Sequence, residues 1–462
     1  MSWRPAPVTV CAGICLASMV PALGQGTTPG TNTVHTATPA AITIPMAPLN
    51  KDVPARPLSS DEAVRIAIVH QPTVEAAEQA VLAAKARTDE ARAATKPQVA
   101  VGLTYNDVES LNTVQGRPSS AIQSIAGYEG TAALKQLLFD FQHTREVVAQ
   151  TRFLEVAAQD SLLKAREDLA LSTRQAYYSY ANAVRVQQIS EASLANRQKQ
   201  LDLAQAQLKT GVGLPSDVAR AETSVSQGVT SLTASRAEAS LARINLALII
   251  GIDPRTPINI TQENAPTASS DSLPDLVAAA LKSRLDVKLA SDTLKSAQHG
   301  IRAARTNNSP VVSASLGLGS TGANFVPGND AFNVGVSLSW DPFDGGLTAG
   351  KVREAKANAA IAVAQKKSTE LQVASDVAQA YIAMKTAEQR ISSAKDALFN
   401  AKEGLRIAVG RFSSGLGLFL DITDAETALE SAESDVTVAT LDVNQARAAL
   451  SHAIGAKLPG GL

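Results

Sequence analysis

The sequence is poor in aromatic residues and cysteine, and it has no excess of either charge. Aromatic side chains make up 4% of its 462 residues, and 42 basic and 43 acidic residues leave a formal net charge of -1. This balance argues against a nucleic-acid partner, because domains that bind nucleic acids carry a basic excess. The two cysteines, Cys11 and Cys15, lie near the N-terminus, and the five histidines are scattered. Thiol catalysis, metal sites and cofactors are therefore not predicted.

The N-terminus has the organisation of a secretion signal. A basic residue is followed by an apolar stretch and then by small residues. We interpret residues 1–24 as a signal peptide cleaved near Ala22 or Gly24. A membrane anchor is the first alternative, but the apolar run is shorter than the ~20 residues of a spanning helix; lipidation of Cys15 is the second. Residues 25–57 are rich in Thr, Pro and Ala and are predicted to form a flexible leader.

The rest of the chain repeats itself over a long period. The tripeptide Gln-Ala-Tyr at 175–177 recurs at 379–381, 204 positions later, and several other matches keep this spacing. A constant spacing indicates rigid helices, because one inserted residue would rotate everything beyond it by about 100°. We predict a first repeat at 58–252, a linker at 253–272 and a second repeat at 273–458.

Stretches without proline predict very long helices. The runs at about 143–210 and 347–414 each have about 68 residues, which corresponds to a helix of about 100 Å. Four shorter runs are each about half as long: about 60–95, 217–250, 274–306 and 421–456. We predict a bundle in which each long helix lies beside two shorter helices placed end to end. A soluble coiled-coil rod is the alternative.

Four stretches of alternating apolar and small or polar residues predict strands: about 97–107, 126–140, 309–320 and 331–343. About ten residues suffice for a tilted strand to cross a membrane. Four strands are too few to close a barrel, so oligomerisation would be required, and three chains would supply twelve strands. A hairpin packed on a helical core is the alternative. Four aromatic residues at the strand-to-helix junctions are predicted to form an interfacial belt: Phe139, Phe141, Trp340 and Phe343.

Four motifs carry a family resemblance. The strand-to-helix joints are Leu-Phe-Asp at 138–140 and Pro-Phe-Asp-Gly-Gly at 342–346, and the helix-turn-helix tips are at 209–218 and 411–422. On these motifs the chain resembles the TolC-like outer membrane efflux family over about residues 58–458.

The resemblance implies a mainly α-helical fold with a small β-barrel contribution. It implies a homotrimer whose twelve-stranded barrel lies in the outer membrane lipid and continues into the periplasm as a helical tunnel. Its function would be passive exit of small molecules or proteins in a tripartite efflux or type I secretion system. The implied partners are a periplasmic adaptor protein and an inner-membrane pump of RND or ABC type. The rival function is a periplasmic coiled-coil adaptor or structural protein outside the membrane, and no motif predicts an enzyme.

The resemblance also gives the tips their expected roles. Adaptor docking is expected at six tip residues: Gly211, Gly213, Leu214, Gly415, Leu416 and Gly417. Asp421 and Asp424 share one helix face and match positions that form an acidic ring at the narrow tunnel entrance. Helix capping is the simpler interpretation of Asp421, and it is the preferred one for Asp217 and Ser216.

The tips depart from the family at two positions. Gly417 stands where a well-studied member of the family has an Arg whose links hold the entrance shut, and Phe412 stands where that member has a Tyr. Any resting lock in this chain would use other residues, and our hypothesis pairs Arg220 with Asp421 or Asp424.

Overall fold

The computed structural model describes residues 56–114, 117–261, 272–322 and 329–455. The predicted signal peptide and nearly all of the predicted leader lie outside the described residues. So does the part of the predicted linker at 262–271.

The described residues contain eight helices and four strands. The helices are α1 (Ser60–His70), α2 (Pro72–Ala93), α3 (His143–Lys209), α4 (Pro215–Ile250), α5 (Leu273–Ser283), α6 (Leu285–Arg305), α7 (Leu347–Ser413) and α8 (Phe419–Ala453). The strands are β1 (Gln98–Val114), β2 (Arg117–Phe139), β3 (Val311–Gly322) and β4 (Asn329–Ser339). None of the described helices is long and apolar enough to cross a membrane.

The two long helices have the predicted length, and two of the shorter runs are divided. The helices α3 and α7 each have 67 residues. The run predicted at 60–95 breaks at Gln71, whose backbone is extended because it precedes Pro72, and proline disfavours the helical conformation in the preceding residue. The run predicted at 274–306 breaks at Arg284, whose φ of −57° and ψ of 129° are not helical. The Arg284 guanidinium lies inside the bundle and pairs with Asp286.

Each long helix contacts shorter helices at both of its ends. The N-terminal half of α3 lies against α6, where the Ser296 hydroxyl donates to the Gln150 carbonyl at 3.0 Å. Its C-terminal half lies against α4, with a 3.2 Å ion pair between Glu191 and Arg236. The start of α7 contacts α6, and its later turns contact α8 through a 2.6 Å bond from Arg390 to Asp442.

The strands form one antiparallel sheet in the order β1-β2-β3-β4. The two halves of the chain meet at β2 and β3, which pair from Tyr128 opposite Gly322 to Phe139 opposite Val312. Within the described residues, β1 and β4 are edge strands with one neighbour each.

The first hairpin is longer than predicted. We expected strands at about 97–107 and 126–140, but β1 runs to Val114 and β2 starts at Arg117. Polar residues interrupt the alternation in this stretch, so it looks like a loop in sequence. The backbone nevertheless continues the ladder, because hydrogen bonds between strands do not depend on the side-chain pattern. The strands β3 and β4 agree with the prediction to within four residues at each end.

Among the residues that the structure describes, three hydrophobic clusters hold the helices together. The first surrounds Tyr177, which is fully buried, and the second surrounds Val377 between α7, α8 and α5. The third joins the ends of both helical hairpins and contains Leu201, Phe412 and Ile422. Many members of all three clusters are alanines, so the helices can approach closely.

Candidate functional site: the sheet faces and the helical tips

One face of the sheet is apolar and exposed. Val99, Val101 and Leu103 of β1 are between 72% and 81% exposed, and Phe332 and Val334 of β4 are each 69% exposed. The register aligns apolar residues across all four strands in rows such as Val101, Ala132, Leu318 and Phe332. Isolated exposed apolar residues are common, but a continuous exposed face marks a surface that contacts another molecule or lipid.

The opposite face is small and polar. One of its rows consists of Ala100, Ala133, Gly317 and Asn333. In another row the hydroxyl groups of Ser313 and Ser337 are 3.1 Å apart and hydrogen-bonded. The sheet therefore separates an apolar surface from a polar one, which is the division that a membrane channel needs.

The four aromatic residues predicted as an interfacial belt lie at the ends of the sheet. Phe139 is the last residue of β2, and its ring contacts that of Phe141 edge-to-face at 4.7 Å. The Trp340 indole nitrogen, directly after β4, donates to the Asn308 carbonyl at 3.2 Å. Phe343 is 89% exposed. The four positions suit a lipid–water boundary, and that role stays a prediction.

The duplicated Asp in the strand-to-helix joints has a role that sequence reasoning missed. Asp140 accepts the Thr144 backbone N–H at 2.8 Å, and Asp344 accepts that of Thr348 at 2.7 Å. Each carboxylate thus satisfies a free donor at the start of a 67-residue helix. The recurrence of Phe-Asp four residues before a Thr is the signal that could have revealed this.

The tips are tight turns built on glycine. Gly211 and Gly415 have φ angles of +80° and +73°, a conformation that favours glycine. The N–H of Gly213 donates to the Gln207 carbonyl at 2.9 Å, which closes the end of α3. The predicted docking residues Leu214 and Leu416 project into solvent, and Gly417 takes the place of Gly213 in the second turn. The arrangement leaves apolar side chains exposed at both tips.

Asp217, Ser216 and Asp421 do not occupy N-cap positions, although Asp421 contributes to the capping of α8. Leu214 and Leu418 occupy the N-cap positions, and the two aspartates lie three residues further on. Pro215 explains the first shift, because proline is preferred at the first helical position. Asp421 still contributes, since its carboxylate accepts the Leu418 N–H at 3.3 Å. Both carboxylates also lie at the positive end of a helix dipole.

The hypothetical lock of Arg220 with Asp421 or Asp424 is absent from the single chain. Arg220, Asp421 and Asp424 are exposed, and none of them forms an ion pair with another described residue. Phe412 is buried and contacts Phe419 edge-to-face at 5.6 Å. Apolar packing therefore joins α7 to α8 at this tip.

A buried ion pair joins the two hairpins above the tips, and sequence reasoning missed it. The Arg197 guanidinium on α3 is 2.6 Å from the Glu430 carboxylate on α8, and these side chains are 9% and 26% exposed. Arg197 also donates to the Ser224 carbonyl on α4 at 3.2 Å. Glu430 accepts hydrogen bonds from Ser193 and Ser231 at 3.2 and 3.5 Å. The pair thus links three helices.

A second link lies one turn closer to the tip. The Gln200 amide on α3 donates to the Glu426 carboxylate on α8. Glu426 is 7% exposed. Burial raises the pKa of Glu426, against the opposing effects of the Gln200 hydrogen bond and the Arg197 charge.

Glu426 predicts a pH dependence of stability at the tips. A carboxyl group whose pKa is raised by folding favours the folded state when it is protonated. We therefore expect the free energy of unfolding to fall as the pH rises from 4.5, the ordinary value of this group, towards neutrality. Glu426→Gln stays neutral and should lack this contribution. Melting curves of both proteins in detergent across this range test the prediction, and identical pH profiles would contradict it.

These features are those of a channel protein of the outer membrane, and comparison with known proteins gives its family. A family model described as "Outer membrane efflux protein" matches residues 63–252 and 276–456. The chain belongs to the outer membrane efflux protein family. Its location is therefore the outer membrane, from which it extends into the periplasm.

Individual proteins agree with this assignment. The chain is 24% identical to outer membrane efflux protein BepC of Brucella suis over 79% of its own length and 78% of that protein. It is 24% identical to outer membrane protein TolC of Escherichia coli, over 77% of its own length and 73% of that protein. The fold is similar to that of the crystal structure of outer membrane protein VceC from Vibrio cholerae, with a TM-score of 0.72 and 22% identity over 86% of this chain and 96% of that one.

Proposed function

We propose that three copies of this chain form a passive exit duct for efflux or type I secretion, without enzymatic activity. The observation that carries the proposal is the four-stranded sheet with two edge strands and one exposed apolar face. In a lipid layer, an open edge would leave backbone donors and acceptors without partners. Joining β4 of one chain to β1 of the next would remove every edge and produce a twelve-stranded barrel with its apolar rows outward.

The helices support the same assembly. The helix α7 contacts mainly α5, α6 and α8, which all belong to the second half of the chain. The helix α3, in contrast, contacts helices of both halves. Large apolar residues are therefore exposed along α7: Ile361, Val363, Leu371, Ile382, Phe399 and Ile407. Burying such a stripe against a neighbouring chain would continue the barrel as a tunnel of close-packed helices.

The partners follow from the same proposal. The exposed Val212, Leu214, Leu416 and Leu418 would form the docking surface for a periplasmic adaptor protein, which links the duct to an energised inner-membrane pump of RND or ABC type. A passive duct only lets solutes move downhill, so the pump would supply the energy.

The acidic ring at the entrance is part of the proposal. Asp421 and Asp424 are exposed and lie three residues apart in the first turns of α8. Neither carboxylate forms an ion pair with another residue that the structure describes. Three copies would place paired carboxylates around the axis and favour cations over anions there.

The test uses neighbouring residues on opposite faces of β4. Val334 lies on the apolar face and Asn333 on the polar face. If the apolar face contacts lipid, Val334→Lys should cost about 2–4 kcal/mol and sharply reduce the amount of protein in the outer-membrane fraction. Asn333→Lys should still reach that fraction, because its side chain would face the lumen. Equal amounts of the two variants in the outer membrane would contradict the proposal.

A further inference from the structure

A single lysine stands out within the sheet. Lys135 lies in β2, four residues before the junction with α3, and its side chain is exposed. Among the described strand side chains (98–106, 127–139, 311–322 and 330–339) it is the one cation. The proposed barrel does not by itself explain a charged residue at this position.

The register fixes the face on which Lys135 lies. Lys135 is opposite Gln98 of β1 and Ser315 of β3, and Ser315 is opposite Gly335 of β4. This row belongs to the small polar face, two residues from the row that contains Asn333. Leu134, the preceding residue, belongs to the apolar face, because side chains alternate along a strand.

The residues around Lys135 are small and leave its side chain exposed. The rows beside it consist largely of small residues, including Ala100, Ala133 and Gly317. No ion pair joins Lys135 to another residue that the structure describes. Glu129, on the same face and six residues away along β2, is about 20 Å distant at the rise of a strand. Glu129 and Lys135 are therefore too far apart to form an ion pair.

We infer that Lys135 makes the lumen anion-selective where the barrel meets the tunnel and recognises anionic groups on exported solutes. This inference rests on the proposed trimeric duct. A twelve-stranded barrel is intermediate between the small barrels that side chains fill and the wide barrels of porins. A long side chain on its inner face therefore narrows the lumen, and three ammonium groups at one level form a ring of positive charge. Rings of Lys or Arg are a known basis of anion selectivity in pores.

The inference assigns opposite charges to the two ends of the helical tunnel. The proposed acidic ring at the tips would admit cationic or zwitterionic solutes, and Lys135 would then interact with their anionic groups near the exit. Solutes that carry both charges would meet an attractive group at each end of the tunnel. A purely cationic solute would meet a barrier at Lys135.

The first test determines which face carries Lys135. Lys135→Cys and the matched control Leu134→Cys are prepared separately, and cleavage at the predicted signal site removes Cys11 and Cys15. Both variants are reconstituted as full trimers in planar bilayers and exposed to a water-soluble, negatively charged methanethiosulfonate reagent. We expect the single-channel conductance or ion preference of Lys135→Cys to change and that of Leu134→Cys to stay constant. Equal responses, or no response at either position, would overturn the inference.

The second test measures selectivity directly. In a salt gradient, Lys135→Glu should lower the anion-to-cation permeability ratio about twentyfold, for charges about 10 Å from the axis at a Debye length of about 10 Å. Lys135→Gln should give an intermediate ratio. A reversal potential equal to that of the unmodified protein in both variants would overturn the role of Lys135 and leave the duct intact. An unmodified protein that forms no conducting pore would contradict the proposed duct and, with it, this role.

Discussion

Glu430→Ala should loosen the helical tips and raise the resting conductance of the reconstituted protein. The substitution leaves the buried Arg197 guanidinium without its carboxylate, although Ser193 and Ser224 still accept hydrogen bonds from it. Removing one partner of a buried pair typically costs about 3–5 kcal/mol, and the partial exposure of Glu430 reduces this to about 2 kcal/mol here. This loss of stability weakens the contact between the α3–α4 and α7–α8 hairpins.

An exposed pair on the neighbouring helix provides the control. Glu403 and Arg406 of α7 are 2.6 Å apart, with side chains 48% and 72% exposed. Exposed pairs contribute about 0–1 kcal/mol, so Glu403→Ala should change neither thermal stability nor conductance measurably. The position of Arg197 against Gly228, where a β-carbon would come within 3.0 Å of Arg197 Cδ, predicts that Gly228→Ala disturbs the same contact. If Glu430→Ala and Glu403→Ala gave the same conductance and melting temperature, the buried pair would not hold the hairpins together.

Tyr177→Ala should cost about 3–5 kcal/mol of stability, the usual range for removing a buried aromatic ring. Tyr177 is fully buried in the first hydrophobic cluster, and its hydroxyl lies 2.9 Å and 2.5 Å from the carbonyl oxygens of Leu58 and Thr261. Leu58 and Ile260 pair through an isolated parallel β-bridge. Tyr177 therefore fastens the start of the first half and the segment after α4 to the middle of α3.

The two halves of the chain supply a matched control for this prediction. Tyr381 occupies the position 204 residues after Tyr177, but its side chain is partly exposed at the edge of the second cluster. Tyr381→Ala should therefore cost less, and Tyr177→Phe should cost only about 1–2 kcal/mol from the lost hydrogen bond. Thermal unfolding in detergent checks all three variants. If Tyr177→Ala and Tyr381→Ala lowered the stability equally, the burial and hydroxyl contacts of Tyr177 would not determine its contribution to stability.

The sequence was sufficient to predict the long helices and the faces of the sheet. Both features depend on local patterns: proline-free runs for α3 and α7, and strict alternation for β4. The extension of β1 to Val114 could not be predicted, because backbone pairing there is independent of the side-chain pattern. The N-cap positions were missed at Leu214 and Leu418, since a leucine at that position has no side-chain signal.

The links between the hairpins were beyond sequence reasoning for a different reason. Arg197 and Glu430 are 233 residues apart, and each lies among other charged or polar residues that look like a solvated helix face. Tyr177 and Tyr381 occupy equivalent places in the predicted repeat, and the sequence does not show that the Tyr177 hydroxyl meets two backbone carbonyls. Such contacts depend on how the two halves pack, which periodicity does not determine.

The mass of the mature protein, measured in detergent by light scattering with the detergent contribution subtracted, tests the central claim most directly. The account predicts a complex of three chains, because the edges of β1 and β4 and the apolar stripe of α7 need neighbours. It also predicts precipitation when the detergent is withdrawn, because the apolar face of the sheet would be left in water. A single chain that stays folded and dispersed in buffer without detergent would contradict the account.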